Sequence, residues 1–355
     1  MDACDTLFVS PPLEYSSATH YTLNLASALP ERGERVVVLT SGGRFEEAFR
    51  QRGIRVEVQR FLERFPVDWF LLRRLLRELK QAGVRLVHAQ SSYTVATGAR
   101  LARRLEVPLV ATIHRYHDPS RSVEIDWRPV GAVITFSAAL RTDIVNNRRA
   151  PKEIVHVIPA GVGAGPELPP PFPDPRGAGV VGTLGEVERA DAQEEFVLAA
   201  REVLKVAPDV QFVIVGEGAN RERLKELIRS AGFVKNATFA NVIDHRKVLP
   251  IFDICVMPSL KEGPGHAMLE AMAASRPIIA TGEGGAYEIL RDEETGLIVE
   301  KEDPLKLAQA ILRLVSDREL ARALGRRARK IVLERFPLDR MLDETLALYG
   351  KLSGN

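Results

Sequence analysis

One stretch, residues 254–290, constrains the fold more than any other. A short apolar run, Ile254-Cys255-Val256-Met257, stops at Pro258-Ser259 and reads as a buried strand. A loop, Lys261-Glu262-Gly263-Pro264-Gly265, leads into a helix with Leu269, Met272 and Ala273 on one face. A second apolar run, Pro277 to Ala280, ends in Gly282-Glu283-Gly284-Gly285 ahead of another helix. Strand, glycine loop and helix, repeated, form the unit of a parallel sheet, whose ligands sit beyond the carboxyl ends of its strands. Glycines there let backbone N–H groups approach a ligand, and the next helix N-terminus favours oxygen-rich or anionic groups. Glu262 and Glu270, eight residues apart, flank the loop, the second about a turn and a half into the helix. Both carboxylates can therefore face one cleft and accept hydrogen bonds from hydroxyls.

A chain of 355 residues is long enough for two domains of ordinary size. Hydrophobic content of 45% and charged content of 27% are those of a soluble globular protein, and a net charge of +2 gives no argument for nucleic acid. Cys4 and Cys255 lie far apart and imply no disulfide framework, which fits a reducing cytoplasm. The acidic start, Met1-Asp2-Ala3-Cys4-Asp5, lacks the apolar core expected of a signal peptide, and no uncharged run of about 18 apolar residues predicts a membrane span.

The same strand–loop–helix rhythm runs along the chain. Thr6 to Pro11 is a strand, followed by a loop ending at Ser16-Ser17 and a helix with Tyr21, Leu23, Leu25, Ala26 and Leu29. Further strands cover Arg35–Thr40, Val84–Ala89, Pro108–Ile113, Ala132–Phe136 and Ile154–Pro159. Residues 66–82 predict a helix with leucines on one side and Arg73, Arg74, Arg77 and Lys80 around the other. Trp69 and Phe70 at its start leave peripheral membrane contact open beside ordinary packing on the sheet. Residues 165–177, dense in proline, read as a linker. Strands at Gly179–Gly185, Val210–Gly216, Thr238–Val242 and Thr295–Val299 alternate with helices in the second half. The helix Asp317 to Arg335 reads as basic and solvated, and Pro337 to Leu352 as a last amphipathic helix.

The ordered set Glu262, Gly263, Gly265, Glu270, Gly284, Gly285 and Glu288 resembles the signature of retaining GT-B glycosyltransferases, in particular glycosyltransferase family 4. The resemblance covers nearly the full length. It implies an α/β architecture of two Rossmann-like domains with parallel sheets facing a central cleft. The acceptor domain is then 1–165, the linker 166–177, the donor domain 178–335, and a helix over 336–355 crosses back. It also implies a nucleotide-sugar substrate (UDP-, GDP- or ADP-linked), a sugar, lipid or small-molecule acceptor, and no metal or other cofactor. Glu262 with the loop residues Gly263, Pro264, Gly265 and His266 would hold the donor sugar, and Glu270 the ribose. The backbone around Val242 would meet the base, Gly182 would sit beside the donor, and His114, after Thr112-Ile113, would stand near the reacting centre.

The chain departs from the family where phosphate is expected. The usual Gly-Gly of the first loop is Ser16-Ser17, whose Cβ atoms limit close approach, and Asn-Gly-Val-Asp is Ala160-Gly161-Val162-Gly163. The arginine and lysine that neutralise the donor diphosphate align with Glu186 and Asp191. Arg189 between them can substitute by a local shift, or Mg²⁺ or Mn²⁺ can bridge the carboxylates to the diphosphate. Two readings follow. One is a retaining sugar transferase; the other is a non-catalytic GT-B protein that binds a ligand or a partner. A GT-B enzyme of another reaction, such as an epimerase, is the remainder.

Overall fold

The computed structural model describes residues 4–60, 69–118, 123–165, 171–172, 177–187, 193–258, 265–281 and 286–354. The chain divides into two compact units, Met1–Pro159 with Arg340–Asn355, and Ala160–Asp339.

In the first unit seven strands follow one another: β1 (Thr6–Val9), β2 (Val36–Thr40), β3 (Arg55–Val58), β4 (Leu86–Ala89), β5 (Leu109–Thr112), β6 (Ala132–Thr135) and β7 (Val155–Val157). Helices α1 (Ser17–Ala28), α2 (Glu46–Gln51), α3 (Trp69–Ala82), α4 (Val95–Leu105) and α5 (Ala138–Asn146) connect them. The order is β3-β2-β1-β4-β5-β6-β7, every neighbouring pair parallel. β1, β4, β5 and β6 are buried along their whole length, which is why they are short apolar runs rather than alternating ones. β3, at the edge, is half-buried throughout and carries Arg55 and Glu57. α3 sends Leu75, Leu79 and Ala82 into the core and leaves Arg73, Arg74, Arg77 and Lys80 exposed.

The second unit contains β8 (Val180–Leu184), α6 (Gln193–Leu204), β9 (Gln211–Val215), α7 (Arg221–Ser230), β10 (Ala237–Ala240) and β11 (Ile254–Met257). It continues with α8 (His266–Ala273), β12 (Ile278–Thr281), α9 (Ala286–Ile289), β13 (Leu297–Val299), α10 (Pro304–Ser316) and α11 (Arg318–Arg335). Its sheet runs β10-β9-β8-β11-β12-β13, again parallel throughout. A final helix, α12 (Leu338–Ser353), belongs to the first unit from Arg340 onward. There Tyr349 hydrogen-bonds Nδ1 of His88 at 2.6 Å, and Asp343 pairs with Arg32.

The units divide at Pro159/Ala160, so residues 160–165 and the described part of the proline-rich segment go with the second unit. Asp253 accepts hydrogen bonds from the backbone N–H of Phe172 and, at 2.8 Å, of Val180. Phe172 is buried and holds a positive φ of 54°, a conformation that survives because Asp253 and Arg322 fix both sides of its peptide unit. A one-residue bridge, Val162 with Pro337, ties the two chain crossings together inside the second unit.

Helix α11 differs from the solvated basic helix that its sequence suggests. Its arginines donate to backbone carbonyls: Arg318 to Gly177 (2.9 Å), Arg322 to Pro171 (3.1 Å) and Phe172 (2.7 Å), Arg327 to Glu294 (2.6 Å), Arg335 to Glu288 (3.2 Å). Arg329 reaches Ala164 (2.9 Å) and Ala273, the last residue of α8, whose carbonyl has no partner within its own helix. A guanidinium carries five donors in a rigid fork, which suits it to capping several carbonyls at once and a lysine does not match.

Candidate functional site

In each sheet the strand order reverses once, between β1 and β4 and between β8 and β11. In doubly wound sheets such a reversal is where ligands bind, beyond the carboxyl ends of the strands. Glu186 and Glu270 follow β8 and β11 and Ser16 follows β1, whereas His114 follows β5 and Val242 follows the edge strand β10.

At the switch of the second unit, β8 runs into Gly185 (φ 154°), then half-buried Glu186 and buried Val187. This turn is stitched to the one after β9: Val187 donates to Glu217 at 2.9 Å, Gly185 to Val215 at 3.1 Å, and Asn220 to Val187 at 3.0 Å. Only glycine fits the seam, since a Cβ on Gly216 would lie 1.9 Å from the Gly185 oxygen and one on Gly218 2.3 Å from that of Val187. Glu186 is therefore held by its neighbours at a strand terminus, while Arg189 and Asp191 lie outside the described residues. Gly182 sits within β8, where a Cβ would come 2.2 Å from the Phe252 ring, so packing accounts for that glycine.

Across the switch, β11 ends at Met257, and Glu262, Gly263 and Pro264 lie outside the described residues, as do Gly284 and Gly285. The helix after them is described. Gly265 is the N-cap of α8, and His266 opens the helix, buried. Glu270 follows on the same helix with its side chain 11% exposed, and His245 Nδ1 donates to its Oε2 at 2.9 Å. His245 begins a 3-10 turn just past β10, beyond half-buried Asn241 and Val242. Sequence reading missed His245: an Asp-His pair in a loop carries no periodicity, and only the fold brings it to a helix 25 residues away. Glu288, in α9, is exposed.

At the switch of the first unit, Ser16 has extended backbone (φ −159°) and caps α1, its Oγ accepting from the Thr19 N–H at 3.0 Å. The first loop therefore needs no glycine at this position; Ser17 opens the helix, half-buried. Glycine is required instead at Gly43 (φ 141°) in the loop after β2, where a Cβ would lie 2.5 Å from the Leu13 backbone. Beyond β5, His114 Nε2 donates to the Gln90 carbonyl at 2.9 Å, and its ring stands edge-on to Tyr21. Burial holds its pKa down at about 4, against the help of that hydrogen bond, so His114 is neutral near pH 7. With Nε2 donating, Nδ1 is the unprotonated nitrogen and an acceptor. His88, deeper in the same layer, lies between Tyr349 and Thr112 Oγ1 (2.7 Å), and burial lowers its pKa to about 3.

Among the described residues no helix is long and apolar enough to cross a membrane. Phe70 and Leu71 on α3 are 85% and 44% exposed.

Residues 18–164 match the family described as Glycosyltransferase Family 4, and residues 167–331 match Glycosyl transferases group 1. The chain is 27% identical to 2-deoxystreptamine N-acetyl-D-glucosaminyltransferase of Streptomyces fradiae, over 94% of this chain and 91% of that protein. Its fold is similar to Anabaena HepE in complex with UDP-glucose, with a TM-score of 0.82 at 21% identity over 97% of this chain and 99% of that one. It is also similar to sucrose-phosphate synthase of Thermosynechococcus elongatus, with a TM-score of 0.77 at 21% identity over 99% of both chains. Two parallel α/β units with these neighbours constitute the GT-B fold, and the chain belongs to the group 1, family 4 glycosyltransferases.

Proposed function

We propose that this glycosyltransferase moves a sugar, with retention of anomeric configuration, from a nucleoside-diphosphate donor to a hydroxyl of its acceptor. The observation that carries the reading is Glu270: a carboxylate fixed at the switch point of the second sheet, on a helix whose N-cap is a glycine. A carboxylate there accepts from the ribose hydroxyls, and the α8 N-terminus favours the negative charge of the diphosphate. Glu262 and the loop amides take the donor sugar, and the backbone around Val242 takes the base. His114, neutral, offers its Nδ1 lone pair to a sugar hydroxyl and carries no charge into the reaction. The acceptor oxygen bonds to the anomeric carbon as the bond to the leaving phosphate breaks, and that phosphate takes the acceptor's proton.

Relatives spanning nearly the whole chain carry transferase names, which favours the catalytic reading over a non-catalytic binder. UDP is the first nucleotide to test, because the HepE structure holds UDP-glucose. Calorimetric titration against UDP, GDP, ADP and their glucose conjugates tests the proposal. Micromolar to millimolar binding of one diphosphate is expected, and binding of none of them contradicts it. Exposed Phe70 and Leu71 beside the arginines of α3 support peripheral contact with an anionic membrane that carries the acceptor.

A further inference from the structure

Glu270 has its partner on a different element, and that partner has a local architecture of its own. We infer that His245 is a positioning residue for donor binding: it orients the Glu270 carboxylate that, on the reading above, receives the ribose hydroxyls. The inference rests on that reading and deepens it.

His245 opens a 3-10 turn, His245–Lys247, which is fixed from both sides. Upstream, Asp244 caps the turn and binds Arg246 through two bonds, Nε to Oδ1 at 2.9 Å and Nη2 to Oδ2 at 3.1 Å. Downstream, Val248 and Leu249 are buried at 4% and 1% exposure and anchor the turn to the unit's interior. The His245 side chain between these anchors is 5% exposed, so its ring has little room to reorient. A carboxylate can only accept, so Nδ1 of His245 carries the proton in the 2.9 Å bond to Glu270 Oε2. The bond joins the loop after β10 to the helix after β11, strands three places apart in the sheet, so neither local turn nor helix geometry requires it.

The consequence is preorganisation. A glutamate side chain has three rotatable bonds, and binding a diol through it costs the freedom of those bonds unless something has already fixed them. With Oε2 held by an immobile imidazole, the carboxylate plane is set before the nucleotide arrives. Loss of the Nδ1 donor should therefore weaken ligands that carry ribose hydroxyls and leave those lacking them nearly unaffected. A purely structural histidine would weaken both alike.

The test compares UDP with 2′,3′-dideoxy-UDP by calorimetry on the full chain. Asparagine places its amide donor near the position of Nδ1, whereas glutamine places it one bond further out. His245→Asn is expected to keep the wild-type preference for UDP within about threefold. His245→Gln should raise the UDP dissociation constant about tenfold, the size of a charged hydrogen bond, and bring the two ligands together. His245→Leu should do the same, with melting temperatures reporting that each variant is folded, and if Leu unfolds the Asn and Gln pair still decides. In a Glu270→Gln background none of these changes should add further loss. Wild-type discrimination that survives in His245→Gln overturns this inference alone, as does equal weakening of both ligands. A wild-type protein that binds no nucleoside diphosphate overturns the donor reading and this inference with it.

Discussion

Acid should loosen the amino-terminal unit well before its carboxylates titrate. His88 and His114 both sit below the ordinary imidazole value of 6.5, at about 3 and about 4, because burial penalises the charged ring. For a group depressed in the folded state, the stability it contributes is complete above the unfolded value and is lost as pH falls from there toward the folded value. Between pH 6.5 and pH 5 both rings stay neutral in the folded protein while the unfolded chain binds a proton at each. That window of about 1.5 units, at about 1.36 kcal/mol per unit, removes about 2 kcal/mol for each histidine. His88, enclosed by Tyr349 and Thr112, should deliver the full amount, and His114, which keeps some solvent contact, somewhat less. Both tryptophans of the chain, Trp69 and Trp127, belong to the first unit, so tryptophan fluorescence during urea unfolding reports that unit alone. The expected loss is about 3–4 kcal/mol between pH 7.5 and pH 5, mostly abolished in a His88→Gln, His114→Gln variant. Equal stability at both pH values, or a loss that the double variant retains, would refute the reasoning.

If His114 serves the donor sugar as proposed, His114→Ala should lower turnover by about tenfold or more while shifting the melting temperature by only a few degrees. Measured turnover at the wild-type level would remove it from the site. If Glu186 and Asp191 face the donor diphosphate, as the family alignment implies, Glu186→Arg with Asp191→Lys should tighten diphosphate binding about tenfold, two anions giving way to two cations beside a dianion. Titration with EDTA and of Arg189→Ala separates a bridging metal and a swung-in arginine from plain repulsion, and unchanged affinity throughout would show that these positions do not face phosphate. Arg73→Glu with Arg77→Glu should reduce sedimentation with vesicles containing anionic lipid, and no binding by the wild type would dispose of membrane contact through α3.

The central strands were legible because a parallel strand covered on both faces must be apolar at every position. Ile254–Met257 reads from the sequence with the bounds it has in the structure. Where an element meets water the signal fades. β3, Arg-Val-Glu-Val at the sheet edge, carries too little apolar pattern to stand out. In the proline-rich segment, composition marks irregular backbone, but the hydrogen bonds that hold its described residues come from Asp253 and the arginines of α11, distant in sequence. Spacing alone sets Glu270 on its helix, whereas the contact with His245 joins that helix to a turn 25 residues away and leaves no trace in the sequence. Ser16 was legible as a departure, though its role as a helix cap emerged only from the extended backbone it adopts.

The most direct measurement is calorimetric titration of UDP and UDP-glucose into the wild type, Glu270→Ala and Glu262→Ala. If Glu270 holds ribose and Glu262 the sugar, Glu270→Ala weakens both ligands by about 1.5–3 kcal/mol, whereas Glu262→Ala weakens UDP-glucose and leaves UDP unchanged. Equal affinity of both variants and the wild type for both ligands would contradict the account.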